Sequence, residues 1–186
     1  MNWLDTPLLV YWEVADHPAR ETIHEMLRQG TWASSVLVLL ELYQVLTRHY
    51  AVAADQAAEA AERVARSPLH WAALDTSQAV TALAACQRQR LQTTDAVLLL
   101  LAQEDGGTLV TQDQRLLRAA AAQGIAVRNP VTPALAAAVA RWEEQHLPPR
   151  GLVRILSTVE RWLRVQDAPL ADQFLQATAQ LTTLPL

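Results

Sequence analysis

Short strand-like runs alternate with longer helical patterns over the first 130 residues, and this alternation constrains the fold more than any other feature of the sequence. The strand-like runs lie at residues 2–4, 31–35, 69–74, 107–111 and 125–129. Amphipathic or alanine-rich segments of helical length separate them, including the strongly apolar residues 36–49. Strands that alternate with helices of this length predict an α/β domain with a parallel sheet covered on both faces.

The alternation stops at the stretch "NPVT", residues 129–132. Residues 133–146, 150–165 and about 169–180 have helical patterns with no strand-like run between them. Proline and glycine interrupt the helical pattern at "LPPRG", and "APL" marks a second break. We therefore predict an α/β domain at residues 1–130 and a helical C-terminal extension at residues 131–186.

Composition argues against several classes of protein. All 15 basic residues are arginine, whereas a P-loop nucleotide site or a Schiff-base enzyme requires a lysine. The only cysteine, Cys86, leaves no internal disulfide and no multi-thiolate metal site. No apolar run reaches the roughly 18 residues of a membrane span, and the first residues lack the pattern of a signal peptide. We expect a cytoplasmic protein without membrane contact.

Four carboxylates occupy a shared kind of position in the predicted sheet. Asp5 ends the first strand, Asp113 follows the strand "TLVT", and Asp95 opens the helix "TTDAVLLLLA". Glu41 lies about two turns into the apolar helix that follows the second strand. Open parallel sheets bind ligands beyond the carboxyl ends of their strands. Because acids gathered there repel one another unless cations hold them, we predict a Mg²⁺ or Mn²⁺ site, with at least one carboxyl pKa raised when no metal is bound.

Each acid also has an ordinary structural interpretation. Asp5 and Asp113 are in suitable positions to be helix N-caps, and Asp95 suits the first turn of a helix. Glu41 would need to point out of a half-exposed helix. The apolar residues around it leave no obvious polar face, so we expect its helix to be buried and a metal ion to compensate its charge.

Four stretches carry a resemblance to a known family: "LDTPLLVYW", "SSVLVLLELYQVL", "LQTTDAVLLLLAQ" and "LVTQDQRL". In order and approximate spacing they resemble the PIN-domain nucleases, and most of all the VapC-type toxins of bacterial toxin–antitoxin pairs. The resemblance covers about residues 1–130, roughly 70% of the chain. The chain departs from it at Pro7, where many relatives have asparagine, and in an extension longer than that of the compact toxins.

The resemblance implies a PIN-like sheet flanked by helices and a metal-dependent ribonuclease activity. It makes four acids the catalytic, metal-binding set: Asp5, Glu41, Asp95 and Asp113. Thr111 would be an accessory hydroxyl at that site, and Thr6 would support the turn after Asp5. A bound Mg²⁺ or Mn²⁺ would polarise a phosphate oxygen and lower the pKa of the attacking water.

The implied partners are an RNA substrate, a small antitoxin that reaches the acids with a basic side chain, and a second copy of the chain in a homodimer. Two alternatives remain open. One is a PIN ribonuclease of RNA processing or defence that has no antitoxin and selects its substrate with the helical extension. The other, from a different class, is a catalytically silent PIN scaffold that only binds a partner.

Four arginines of the extension fall within an arc of roughly 80° on one helix, namely Arg150, Arg154, Arg161 and Arg164. We call them the arginine stripe. Leucine, isoleucine and valine occupy the opposite side of this helix. The stripe predicts contacts with RNA phosphates or a partner, and the alternative is a solvated basic face of an amphipathic helix.

Overall fold

A computed structural model describes residues 1–147 and 151–179 of the chain. Its strands are β1 (Asn2–Leu4), β2 (Trp32–Ser35), β3 (His70–Ala72), β4 (Thr108–Val110) and β5 (Ala126–Arg128). They form one sheet in the order β3-β2-β1-β4-β5, and every neighbouring pair is parallel. The predicted parallel sheet is therefore confirmed, with β1 at its centre.

Seven helices connect or follow these strands within the first 122 residues: α1 (Thr6–Glu13), α2 (Arg20–Leu27), α3 (Val36–Arg48), α4 (Ala54–Ala65), α5 (Thr76–Gln89), α6 (Thr93–Glu104) and α7 (Gln114–Ala122). After β5 come α8 (Pro133–His146), α9 (Gly151–Gln166) and α10 (Ala168–Thr178). Among the described residues, none of these helices combines the length and the apolar character that crossing a bilayer requires.

The core lies between the sheet and the helices that cover it. Leu4 in β1 and Leu109 in β4 are fully buried, and α6 buries residues all round its circumference, including Leu98 and Leu99. A helix that is apolar on every side belongs in an interior, which explains why α6 packs against β1, β2 and β4. Each of these leucines contributes roughly 1.5–3 kcal/mol through its burial. This packing fixes the position of α6 against the sheet.

Helix α3 is less buried than its sequence suggests. Val38, Leu42 and Leu46 form a buried stripe at a spacing of four residues. Leu40 and Tyr43 lie on another side and expose 63% and 37% of their surface. The expectation of a buried helix is therefore wrong for this side. Val38, Leu42 and Leu46 already fill the contact with the core, because a helix presents only one stripe to the layer beneath it.

The chain divides into two compact units, Met1–Trp142 and Glu143–Leu186. In the first unit, Val139 of α8 is buried in the core, and the Trp142 ring meets the His17 ring edge-on at 5.0 Å between centroids. In the second unit, α9 packs against α10. The first unit thus includes most of α8, and a domain division at residues 130 and 131 stays a prediction.

Candidate functional site

Three of the four predicted acids follow strands of the sheet at its carboxyl edge, and the fourth, Asp95, follows helix α5. Asp5 comes directly after β1 and is the N-cap of α1, and Asp113 is the N-cap of α7 after β4. Asp95 lies in the first turn of α6, whereas Glu41 is in the middle of α3. Because parallel strands end at the same edge, the fold brings these acids to one crevice, which we call the acid crevice.

Asp5 is the most enclosed of the four. Its carboxylate accepts a hydrogen bond from the Thr6 backbone N–H at 2.7 Å and another from the Thr111 hydroxyl at 2.6 Å. The pKa of Asp5 is raised to about 7, mainly by burial; the charges of Asp95 and Glu41 also raise it, and these two hydrogen bonds lower it. The interior around Asp5 therefore disfavours its negative charge near neutral pH.

The Thr6 side chain forms a hydrogen bond with Glu41 at the carboxyl edge of the sheet. The Thr6 hydroxyl donates to Glu41 Oε2 at 2.7 Å and so connects α1 with α3. Pro7 follows within the first turn of α1, where a helix does not need the N–H that proline lacks. Glu41 thus has a side-chain partner, but a hydroxyl is neutral and leaves its charge uncompensated.

Thr111 links the ends of β1 and β4. Besides donating to Asp5, its hydroxyl accepts a hydrogen bond from the Asp113 backbone N–H at 2.9 Å. Asp113 in turn accepts from the backbone N–H groups of Arg115 and Leu116, at 2.6 and 3.0 Å. The capping interpretation is therefore correct for Asp5 and Asp113, and capping does not remove the remaining lone pairs of these carboxylates.

Asp95 connects the acids electrostatically. Its pKa is raised to about 6, mainly by burial and also by the charges of Asp113 and Glu41. The expectation of a raised carboxyl pKa is confirmed for Asp5 and Asp95, although burial is a larger cause than repulsion at both. Each of the four acids therefore has a charge interaction with at least one of the others.

The donor chemistry of the acid crevice fits a hard cation. Carboxylate and hydroxyl oxygens are the ligands that Mg²⁺ and Mn²⁺ prefer, and a cation relieves the cost of burying several acids together. Within the described residues, no three His, Cys, Asp or Glu side chains converge closely enough to hold one ion. Asp5 and Asp113 instead direct oxygens to the backbone N–H groups that they cap.

Arg115 belongs to the crevice and was missed from the sequence. Its positive charge lowers the pKa of Asp95, and its guanidinium donates to the Arg90 carbonyl at 3.1 Å. Arg90 ends α5 in the left-handed conformation, with φ of 55°, which turns the chain back toward α6. The position of Arg115, two residues after the capping Asp113, was its signal in the sequence.

The arginine stripe is only partly described. Arg150 and the side chain of Arg154 lie outside the described residues. Arg161 is exposed, and Arg164 donates to Glu160 at 2.5 Å and to Asp172 at 3.0 Å. On the opposite, apolar side of the helix, Ile155 exposes 61% of its surface. A role of the stripe in binding stays a prediction, with Arg164 already engaged by two carboxylates.

Fold and crevice together define an α/β domain with acids at the carboxyl edge of its sheet. The PIN-domain family model matches residues 3–122 and includes all four acids. The chain therefore belongs to the PIN-domain family, a class of nucleases. The resemblance inferred from four short stretches is confirmed.

Toxins of toxin–antitoxin systems share this fold. VapC20 of Mycobacterium tuberculosis, a toxin that cleaves the sarcin–ricin loop, is 17% identical, with a TM-score of 0.56 over 64% of this chain and 95% of its own. A toxin–antitoxin complex from Klebsiella pneumoniae is 20% identical, with a TM-score of 0.52 over 70% of this chain and 98% of the matched one.

VapBC2 from Rickettsia felis, bound to a DNA fragment from its promoter, matches at 19% identity and a TM-score of 0.51, over 69% of this chain and 97% of the matched one. At these identities the likeness is one of fold. No curated protein matches the sequence significantly.

Proposed function

We propose that this PIN domain is a divalent-metal-dependent ribonuclease that hydrolyses RNA phosphodiester bonds in the cytoplasm. The observation that carries the proposal is the enclosure of Asp5 between the Thr111 hydroxyl and the charges of Asp95 and Glu41. A protein interior rarely retains uncompensated acids, because each costs several kcal/mol to bury. Their natural partner is a cation.

The four acids are the proposed ligands of Mg²⁺ or Mn²⁺. When bound, the cation supplies electrophilic stabilisation of the phosphodiester and lowers the pKa of water. Thr111 and Thr6 orient Asp5 and Glu41 through their hydroxyls, and the acids must move closer together to share one ion. Arg115 lies at the same edge, where it is suited to contact a phosphate.

The proposed biological role is that of the toxin in a type II toxin–antitoxin pair, acting as a homodimer. Support comes from the fold shared with toxins solved as toxin–antitoxin complexes. A basic side chain of a small antitoxin would complement the acid crevice and block it. The second candidate, a ribonuclease of RNA processing or defence without an antitoxin, is favoured by the additional unit Glu143–Leu186.

Metal-dependent cleavage tests the biochemical proposal. The purified protein should cut single-stranded RNA with Mg²⁺ or Mn²⁺ and lose this activity in EDTA, and Asp95→Asn purified in parallel should be inactive. Undiminished cleavage by Asp95→Asn would assign the activity to a contaminating nuclease. Mg²⁺ binding measured by calorimetry separates the enzyme from a silent scaffold, which would bind no metal.

Co-expression tests the biological role. The protein should arrest growth when expressed alone, and a short neighbouring reading frame with a basic C-terminal segment should restore growth and co-purify with it. Arrest that no neighbouring frame relieves would favour the ribonuclease without an antitoxin. Sequencing of RNA ends in the arrested cells would identify the RNA that is cut.

A further inference from the structure

A groove of about 530 Å³ lies beside the acid crevice, between α3 and the loop that leads into α6. Leu37, Leu40 and Gln44 line it from α3, and Leu91, Gln92 and Thr94 line it from the other side. Glu41 belongs to both the groove and the crevice, and Thr94 directly precedes Asp95. A molecule in the groove would therefore lie next to the acids. The volume is within the range of sites that bind small ligands.

The lining of the groove selects against phosphate and for a flat, amphipathic group. None of the described residues that line it is cationic, and Glu41 would repel an anion. Three leucines supply apolar contact, and Leu40 exposes 63% of its surface at the groove. The amides of Gln44 and Gln92 each offer donors and an acceptor. Apolar surface next to amide groups suits the face and the edge of a nucleobase.

The side of the groove before α6 is held in place by three contacts. Arg115 donates to the Arg90 carbonyl at 3.1 Å, and the Cys86 thiol lies 3.8 Å from the Gln92 carbonyl. The Gln92 backbone N–H donates to the Asp95 carboxylate. These contacts reduce the ordering cost of binding at this side, because the loop is already fixed when a ligand arrives.

We propose that this groove binds an unpaired nucleobase of the RNA, next to the phosphodiester that lies at the acids. The proposal rests on the proposed ribonuclease function and adds its base-selecting site. The leucines contact the base face, and the side-chain amides of Gln44 and Gln92 distinguish its edge. Cleavage should therefore depend on the base at one nucleotide position beside the cut.

Cleavage of an RNA library randomised around one cut site tests the proposal. Wild-type protein should prefer one base at a single position, and Gln44→Ala and Gln92→Ala should each reduce that preference by about two- to tenfold, the value of one hydrogen bond. Gln92→Ala keeps the backbone N–H that bonds Asp95. Gln103→Ala is the matched control, since Gln103 is exposed at the far end of α6. An equal base profile for all four proteins would overturn the proposal.

Binding separates a failure of this inference from a failure of the proposed function. Fluorescent short RNAs that differ at the selected position should bind Asp5→Asn protein with different affinities, and Gln44→Ala in that background should make the affinities similar. If wild-type protein does not cut RNA, the ribonuclease proposal fails, while this binding comparison still reports on the groove. An unchanged base profile together with an altered oligomeric state of Gln44→Ala would assign the groove to a protein contact and overturn the inference.

Discussion

The carboxyl edge of the sheet and helix α9 both carry several charges, but they hold them in opposite ways. At the sheet edge, Asp5 is buried and bonded to Thr111, 106 positions further along the chain. In α9, Arg164 is half exposed and bonds Glu160, four positions earlier, and Asp172, eight positions later. The first arrangement requires the whole fold, whereas the second requires only two adjacent helices.

The two arrangements differ in their free-energy cost, and the more costly one is the better indication of a functional site. An exposed ion pair contributes about 0–1 kcal/mol and constrains the sequence little. A buried carboxylate without a cation costs several kcal/mol, so a fold that gathers several of them gives up stability for another purpose. The acid crevice is therefore the stronger candidate for function.

The largest contrast should be in catalysis. Asp5→Asn should reduce RNA cleavage by at least about a hundredfold, the order that removal of one charge-stabilising group costs. Asp172→Asn, which removes an exposed carboxylate from the C-terminal unit, should leave the rate unchanged. Initial rates on one RNA at saturating Mg²⁺ measure both. Equal losses for the two variants would mean that the acid crevice is not the catalytic site.

A hydroxyl deletion should give the next largest contrast. Thr111→Val keeps the shape of the side chain but removes the hydroxyl that bridges Asp5 and Asp113. Loss of a group that orients metal ligands lowers activity by about 10–100-fold. Thr178→Val is the control, because the Thr178 hydroxyl donates to the Phe174 carbonyl of its own helix, at 2.8 Å. The Mg²⁺ concentration for half-maximal activity should rise only for Thr111→Val, and an unchanged value would deny Thr111 a role at the metal.

The two regions also differ in how well the sequence predicts them. Strand-end positions predicted that Asp5 and Asp113 meet at one edge, since parallel strands leave no other arrangement. The hydroxyl bridge of Thr111 between them depends on the register of β1 against β4, which sequence periodicity does not define. Exposure of Leu40 in α3 was missed because an apolar helix does not reveal which stripe meets the core.

In α9, periodicity predicts an arc of arginines on one side, but the ion pair of Arg164 with Asp172 depends on the packing of α10. Asp172, which binds Arg164, lies in that helix. Periodicity orders residues around one helix and does not say which neighbouring helix supplies a partner.

The stability of the metal-free protein should depend on pH through Asp95 in the acid crevice. The folded pKa of Asp95, about 6, is above its ordinary value of 3.8, so the stability that its proton contributes is present below pH 3.8 and is lost as the pH rises through 6. In EDTA at pH 7.5, the free energy of unfolding of Asp95→Asn, measured with urea, should therefore exceed that of the wild type by roughly 1–2 kcal/mol after allowance for partial exposure. This difference in free energy should be smaller at pH 4.5.

Asp172→Asn is again the control, because it removes a partner of Arg164 and should not stabilise the protein at pH 7.5. Mg²⁺ should stabilise the wild-type protein more than Asp95→Asn, since a ligand that binds only the folded state stabilises it by mass action. Lower stability of Asp95→Asn in EDTA at pH 7.5 would make Asp95 a structural group and contradict the metal-site interpretation.

The smallest expected effect concerns the arginine stripe and compares two of its members. Arg164 already satisfies Glu160 and Asp172, so a phosphate would have to compete with two carboxylates for its guanidinium. Arg161 is exposed on the same helix. If the stripe binds RNA, Arg161→Gln should make the plot of log affinity against log salt less steep. The slope should decrease in magnitude by about 0.7, the value for one phosphate of a single strand. Arg164→Gln should decrease it by less. Affinities of Asp5→Asn protein measured at several salt concentrations give both slopes without cleavage. Unchanged slopes for both variants would make the stripe a solvated basic face, and RNA binding would then have to come from the unit that holds the acid crevice.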